Sequence, residues 1–184
     1  MQISPVPFSG RPADRRTDAE EAIYDRLEAL SIPFTRVDHD HADTMEDCLL
    51  IESVLGGKIP KNLFLTNRQQ TDFYLLLMPG DKPFKTKFLS SQLGVARLSF
   101  AGEEAMKSLL HTIPGSVSPL ELLFDTDQKI RLIVDDELRG SAVFCGHPGL
   151  STSTVKLSWA DLLKYLEATG HAITYVTLPR QFDE

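Results

Sequence analysis

Residues 61–78 read KNLFLTNRQQTDFYLLLM. Two apolar runs, Leu63–Thr66 and Phe73–Met78, flank a polar stretch at Asn67–Thr71, a pattern that predicts two strands joined by a turn. The second run is the longest uninterrupted apolar stretch in the chain. Its length suits a strand and is far too short to cross a membrane.

Upstream of this hairpin, Thr17 and Glu20 form a capping box, and Ile23, Leu27 and Leu30 mark one face of a helix over about residues 18–30, ended before Pro33. Phe34–Asp38 alternates like a strand. Thr44 caps a second helix running through Leu55, and Gly56-Gly57 stops it. Residues 1–16 hold three prolines and no periodicity, so they read as a loose arm ahead of a single domain over residues 17–184. Downstream, Asp81-Lys82-Pro83 turns the chain into a short helix over about residues 85–92. A brief strand at Arg97–Phe100 and a helix at Glu103–Leu110 follow. Further strands are predicted at Ile130–Val134, Val143–Cys145 and Thr154–Leu157. Ser158 with Asp161 opens a last helix with Leu162, Leu163 and Leu166 on its apolar face; Gly170 ends it, and Ile173–Thr177 is a final strand. Strands and helices interleave without a regular βα period, which indicates an α+β domain: a mixed sheet or open barrel with peripheral helices.

Composition agrees with one globular domain. The 184 residues are 42% hydrophobic and 24% charged, which excludes a disordered or low-complexity chain. The first residues, MQISPVPFSGRPADRR, hold no apolar stretch of signal-peptide length. Cys48 and Cys145 cannot make a disulfide framework, and there is no CxxC pair for zinc. A reducing, cytoplasmic setting is expected. The net charge of −7 argues against a general nucleic-acid coat, yet residues 58–97 carry seven basic groups against two acids. That segment is +5 and the remainder −12, a distribution that suits a small polyanion such as one end of a tRNA. Scattered, solvated lysines are the plainer alternative.

Candidate chemistry is sparse. His39 and His41 flank Asp40 in DHDHAD and would share a face of a strand. Two imidazoles alone do not complete a metal site, however, and a solvated strand end explains them as well. Cys145 and His147 have the composition of a thiol nucleophile and its base, but near neighbours in sequence seldom have that geometry. Lys61 stands at the mouth of a predicted strand, where an ammonium can meet a carbonyl or phosphate oxygen; snorkelling at a sheet edge is the alternative. The loop Pro114–Pro119 is stiffened by two prolines and a glycine. Its N–H groups can line a pocket, or it can be a plain connector. No nucleophile elbow, Walker loop, dinucleotide fingerprint or H-E-x-x-H motif occurs.

Taken in order, KNLFLT, FYLLLM, Leu98-Ser99-Phe100, PGSVSPL, IRLIVDDEL, GHPG and LSWADLLKYLEATGH resemble the YbaK/ProX family, free-standing relatives of the editing domain inserted in bacterial prolyl-tRNA synthetase. The likeness covers roughly residues 18–178. It implies a mixed, barrel-like β-sheet surrounded by helices, and an activity that deacylates mischarged tRNA, alanyl-tRNA(Pro) above all, with no cofactor. It implies that Lys61 and Gly115 are the catalytic positions. Ser116, Val117, Ser118 and Pro119 would wrap the aminoacyl ester and the terminal adenosine. His147, Thr44 and His39 would lie beside the pocket. The terminal 2′-hydroxyl of the tRNA would assist the hydrolysis, and the synthetase itself is an implied partner. DNA and membranes are not. Lys58, Lys82, Lys85, Lys87 and Arg97 become the candidate surface for the acceptor end. Where family members often carry Asn-Thr beyond the His-Pro pair, this chain reads Ser151-Thr152-Ser153-Thr154, a change that bears on substrate range. Cysteinyl-, seryl- or threonyl-tRNA substrates, or a module that binds without turnover, are the competing readings.

Overall fold

The computed structural model describes residues 1–182. The hairpin that anchors the sequence reading is present as β3 (Lys61–Thr66) and β4 (Phe73–Met78), paired antiparallel with Lys61 opposite Met78. β4 is the middle strand of a five-stranded mixed sheet, which also takes β5 (Ser99–Phe100), β6 (Ile130–Asp135) and β9 (Ile173–Val176) in the order β5-β3-β4-β6-β9. β6 runs parallel to β4, and β9 parallel to β6. The unbroken apolar run of β4 follows from this position. Leu75 and Leu77 face one core with Ile23, Leu27, Leu162 and Tyr165, whereas Tyr74, Leu76 and Met78 face another with Leu89, Leu98 and Val176. A strand covered on both faces has no solvent face to keep polar.

A second, four-stranded antiparallel sheet has the order β1-β2-β8-β7, formed by β1 (Phe8–Ser9), β2 (Thr35–Asp38), β7 (Val143–Gly146) and β8 (Ser153–Ser158). The α+β class and the helical surround are as expected. The strands, however, stay in two sheets and do not close into one barrel.

The helices start and stop where side-chain chemistry predicts. α1 (Asp18–Ala29) opens on the Thr17–Glu20 capping box, and α2 (Met45–Leu55) on a second box between Thr44 and Asp47. Gly56 ends α2 in the left-handed region. α3 (Thr86–Leu93) lies over the second core. α4 (Glu103–Ala105) continues as a π turn over Met106–Leu110, and α5 (Trp159–Thr169) begins where Ser158 Oγ accepts from the Asp161 N–H at 3.0 Å.

The first sixteen residues depart from expectation. They do not hang free of the domain: β1 adds an edge to β2, with Phe8 opposite Arg36. Arg11 pairs with Glu21, with Asp25 at 2.8 Å and with Glu28 at 3.1 Å on α1. Arg16 pairs with Asp38 at 3.0 Å. Prolines hide this strand in the sequence, because an edge strand tolerates them where a central one does not.

Candidate active site

A cleft of about 500 Å³ opens where the start of β3, α2, the loop after the π turn and the end of β7 meet. Lys61 leads β3 into it. The side chain is half-buried, and Nζ donates to the backbone carbonyl of Lys82. That carbonyl is held in turn by the buried side chain of Lys82, whose ammonium lies 2.7 Å from Asp135 and 3.0 Å from Glu137. Lys82 is only 1% exposed. Its assignment to the tRNA surface is therefore corrected: two carboxylates, one fully buried, hold its charge inside the protein.

The opposite wall is the loop 113–118. Ser116 N–H donates to Ile113 O at 3.1 Å across a turn with Pro114 and Gly115 at its centre, and Gly115 has φ +83°. Proline followed by a residue of positive φ is the pattern of a type II turn. Pro114, Gly115 and Val117 line the cleft. Ser116, Ser118 and Pro119 do not; they are buried behind it and fasten the loop. Ser116 Oγ accepts from Ser151 N–H at 2.9 Å. Ser118 Oγ lies 2.7 Å from both Glu121 Oε2 and the carbonyl of His147. One hydroxyl proton cannot serve two acceptors, so the second proton belongs to the carboxyl. Burial pushes Glu121 well above the usual carboxylate range, which supplies that proton.

His147 lines the cleft from the far side. Burial pulls its imidazole down to about 4, so it is neutral at pH 7. Nδ1 lies 2.9 Å from the carbonyl of Ser153, which can only accept, so Nδ1 carries the proton and Nε2 keeps a free lone pair. His39 does not reach the cleft. It stands behind His147 with ring centroids 5.9 Å apart, and Thr154 Oγ1 bridges the two rings at 2.8 Å to His39 Nε2 and 3.2 Å to His147 Nδ1. Thr44 is likewise away from the cleft, serving as the cap of α2. His41 Nδ1 meets Ser151 Oγ at 2.6 Å, so the serine in the position of the family's asparagine ties the loop after β7 to the entry of α2. Cys145 is packed with Val37, Ile51 and Leu55, and burial pushes its thiol up to about 12, which removes it as a nucleophile partner for His147.

Several lining residues escaped the sequence reading. Met45, Cys48, Leu49 and Glu52 reach the cleft from α2, and Asn62, Leu63 and Phe64 from β3. Phe100, Ala101 and Met106 close the end. A signal for α2 was present: MEDCLLIESVL is apolar on more than the face that Ile51 and Leu55 bury. Of the basic candidates, Lys58 stands at the rim, while Lys85, Lys87 and Arg97 line a neighbouring groove.

Known proteins resemble this chain in sequence and in fold. Residues 39–165 match the family described as the aminoacyl-tRNA editing domain. The prolyl-tRNA editing protein ProX of Acetoanaerobium sticklandii is 32% identical over 161 residues, covering 88% of this chain and 98% of that relative. A prolyl-tRNA synthetase associated domain-containing protein of Danio rerio is 33% identical over 163 residues, 87% of this chain and 85% of its own. Among solved structures, one described as a candidate trans-editing enzyme for prolyl tRNA synthetase superposes with a TM-score of 0.63 at 15% identity, covering 90% of this chain and all of the other. That likeness shows the shared fold. By its matched residues and by its relatives, the chain belongs to the aminoacyl-tRNA editing domain family.

Proposed function

We propose that the cleft hydrolyses the ester of mischarged aminoacyl-tRNA in trans, with alanine on tRNA(Pro) as its first substrate. The observation that carries this reading is the convergence of the Lys61 ammonium, the Pro114-Gly115 turn and the unprotonated Nε2 of His147 on one partly apolar cleft. An aminoacyl ester is already activated, so its hydrolysis needs placement and charge stabilisation more than a strong nucleophile. Lys61 holds a substrate oxygen at the terminal nucleotide, and the turn presents the ester. His147 Nε2 accepts a hydrogen bond from the substrate or from water, and the 2′-hydroxyl beside the ester helps activate the attacking water. Leu63, Phe64, Met106 and Val117 form apolar walls that admit a methyl group and reject the proline ring, as steric sieving requires. Lys58 at the rim, with Lys85, Lys87 and Arg97, faces the acceptor end, and prolyl-tRNA synthetase is the expected source of substrate.

The test is release of amino acid from tRNA(Pro) charged separately with alanine, proline, cysteine and serine, using substoichiometric protein. Loss of alanine with proline spared is expected. Loss of cysteine or serine alone would move the substrate, and binding without loss of any would replace the enzyme by a binding module. Lys61→Ala should lower alanine release at least 100-fold, a typical cost of removing one charge-stabilising donor, with the far-UV spectrum unchanged. Full activity in that variant would end the role given to Lys61.

A further inference from the structure

The cleft accounts for the terminal nucleotide of a tRNA but not for the strand leading to it. Phe100, at the end of β5, is 61% exposed, an unusual setting for a phenyl ring. Its ring belongs to two cavities at once: the cleft, and a neighbouring groove of about 510 Å³. Phe84 meets it edge-on, with centroids 6.4 Å apart and planes at 72°, and so steadies the ring from behind. Lys85, Lys87 and Arg97 line the groove, and among the described residues no carboxylate does, on a chain of net charge −7. Among the described residues none of these three cations takes part in an ion pair. The groove also contains the first turn of α3, whose N-cap is Lys85, a side chain with no acceptor to offer the leading N–H groups.

We propose that this groove takes the single-stranded 3′ end of the tRNA next to the aminoacylated nucleotide, with a base stacked on Phe100 and the phosphates running past Arg97, Lys87 and Lys85. This rests on the editing reading, and it adds the path of the strand and a stacking residue. Every base has a π face, so an exposed ring beside cations binds single strands with little sequence preference. The phosphates displace counterions, which makes the contact dependent on salt. A duplex has its bases stacked on one another and offers Phe100 nothing, so the groove selects the unpaired end.

Two measurements test this: anisotropy of a 5′-fluorescent RNA tetramer ending in CCA, and initial rates on alanyl-tRNA(Pro). Phe100→Ala should weaken tetramer binding about tenfold and raise KM by a similar factor with kcat little changed, and Phe100→Trp should restore both. Lys87→Ala and Arg97→Ala should each reduce the slope of log affinity against log salt by about 0.7. Unchanged KM and tetramer affinity in Phe100→Ala, or failure of Phe100→Trp to restore them, would overturn the proposal. Tetramer binding that depends on Phe100 in a protein releasing no amino acid from any charged tRNA would instead overturn the editing reading and leave the groove standing.

Discussion

His147 shows how one carbonyl sets the chemistry of a side chain. The Ser153 oxygen fixes its proton on Nδ1, and burial lowers its affinity for a second proton to about 4, from an ordinary 6.5. Between those values the unfolded chain binds a proton that the folded chain refuses. Stability therefore rises with pH across that window and falls on acidification, by about 3 kcal/mol in all. Glu121 has the opposite sign. Its folded value is raised above an ordinary 4.5, so the folded chain keeps a proton there that the unfolded chain has lost, and stability declines as pH rises. Urea unfolding at stepped pH should show the first slope vanish in His147→Phe and the second in Glu121→Gln. Lys82 is a third buried titratable side chain. Lys82→Ala leaves Asp135 without its ammonium, and the expected loss is about 3–5 kcal/mol by denaturant unfolding. A loss below 1 kcal/mol would mean that water, not Lys82, satisfies that carboxylate.

At the scale of elements, two glycines set the shape of the cleft. Gly115 sits at the position of its turn that needs positive φ, and a Cβ there would meet no atom within 4 Å. Gly115→Ala thus carries backbone strain alone, of order 1 kcal/mol, and should lower kcat more than it lowers Tm. At Gly80 the conflict is with backbone: a Cβ would lie 2.8 Å from the Ile59 carbonyl, two residues ahead of Lys61. Gly80→Ala must push apart the two segments that place the lysine, and it should cost at least tenfold in kcat/KM with KM little changed. If instead both variants retain full turnover, the turn and the strand mouth are not held to the tolerance assigned here.

For the whole molecule, what the sequence made legible follows the range of the interactions. The capping box at Thr17, the cap at Thr44, the stops at Gly56 and Gly170, and the hairpin of β3 and β4 are local, and each was found within a residue or two. Lys61, the loop holding Gly115, and His147 stood out from the residues themselves, the family resemblance gave them roles, and the structure brings these three to one cleft. Thr44 and His39 belong to a cap and to the support behind His147. What stayed hidden depends on distant partners: Asp135 lies 53 residues beyond the Lys82 it neutralises, and the strand in the arm exists only because β2 offers it an edge. Pattern reading sees a lysine as exposed because lysines usually are.

The two halves of the cleft come from different sheets. Lys61 stands on the five-stranded sheet, and His147 follows a strand of the four-stranded one. Neither sheet alone carries both walls of the cleft, so its shape depends on how the two sheets pack against each other as well as on the fold of each. Loosening the contact between the sheets would therefore part Lys61 from His147 with every strand still in place.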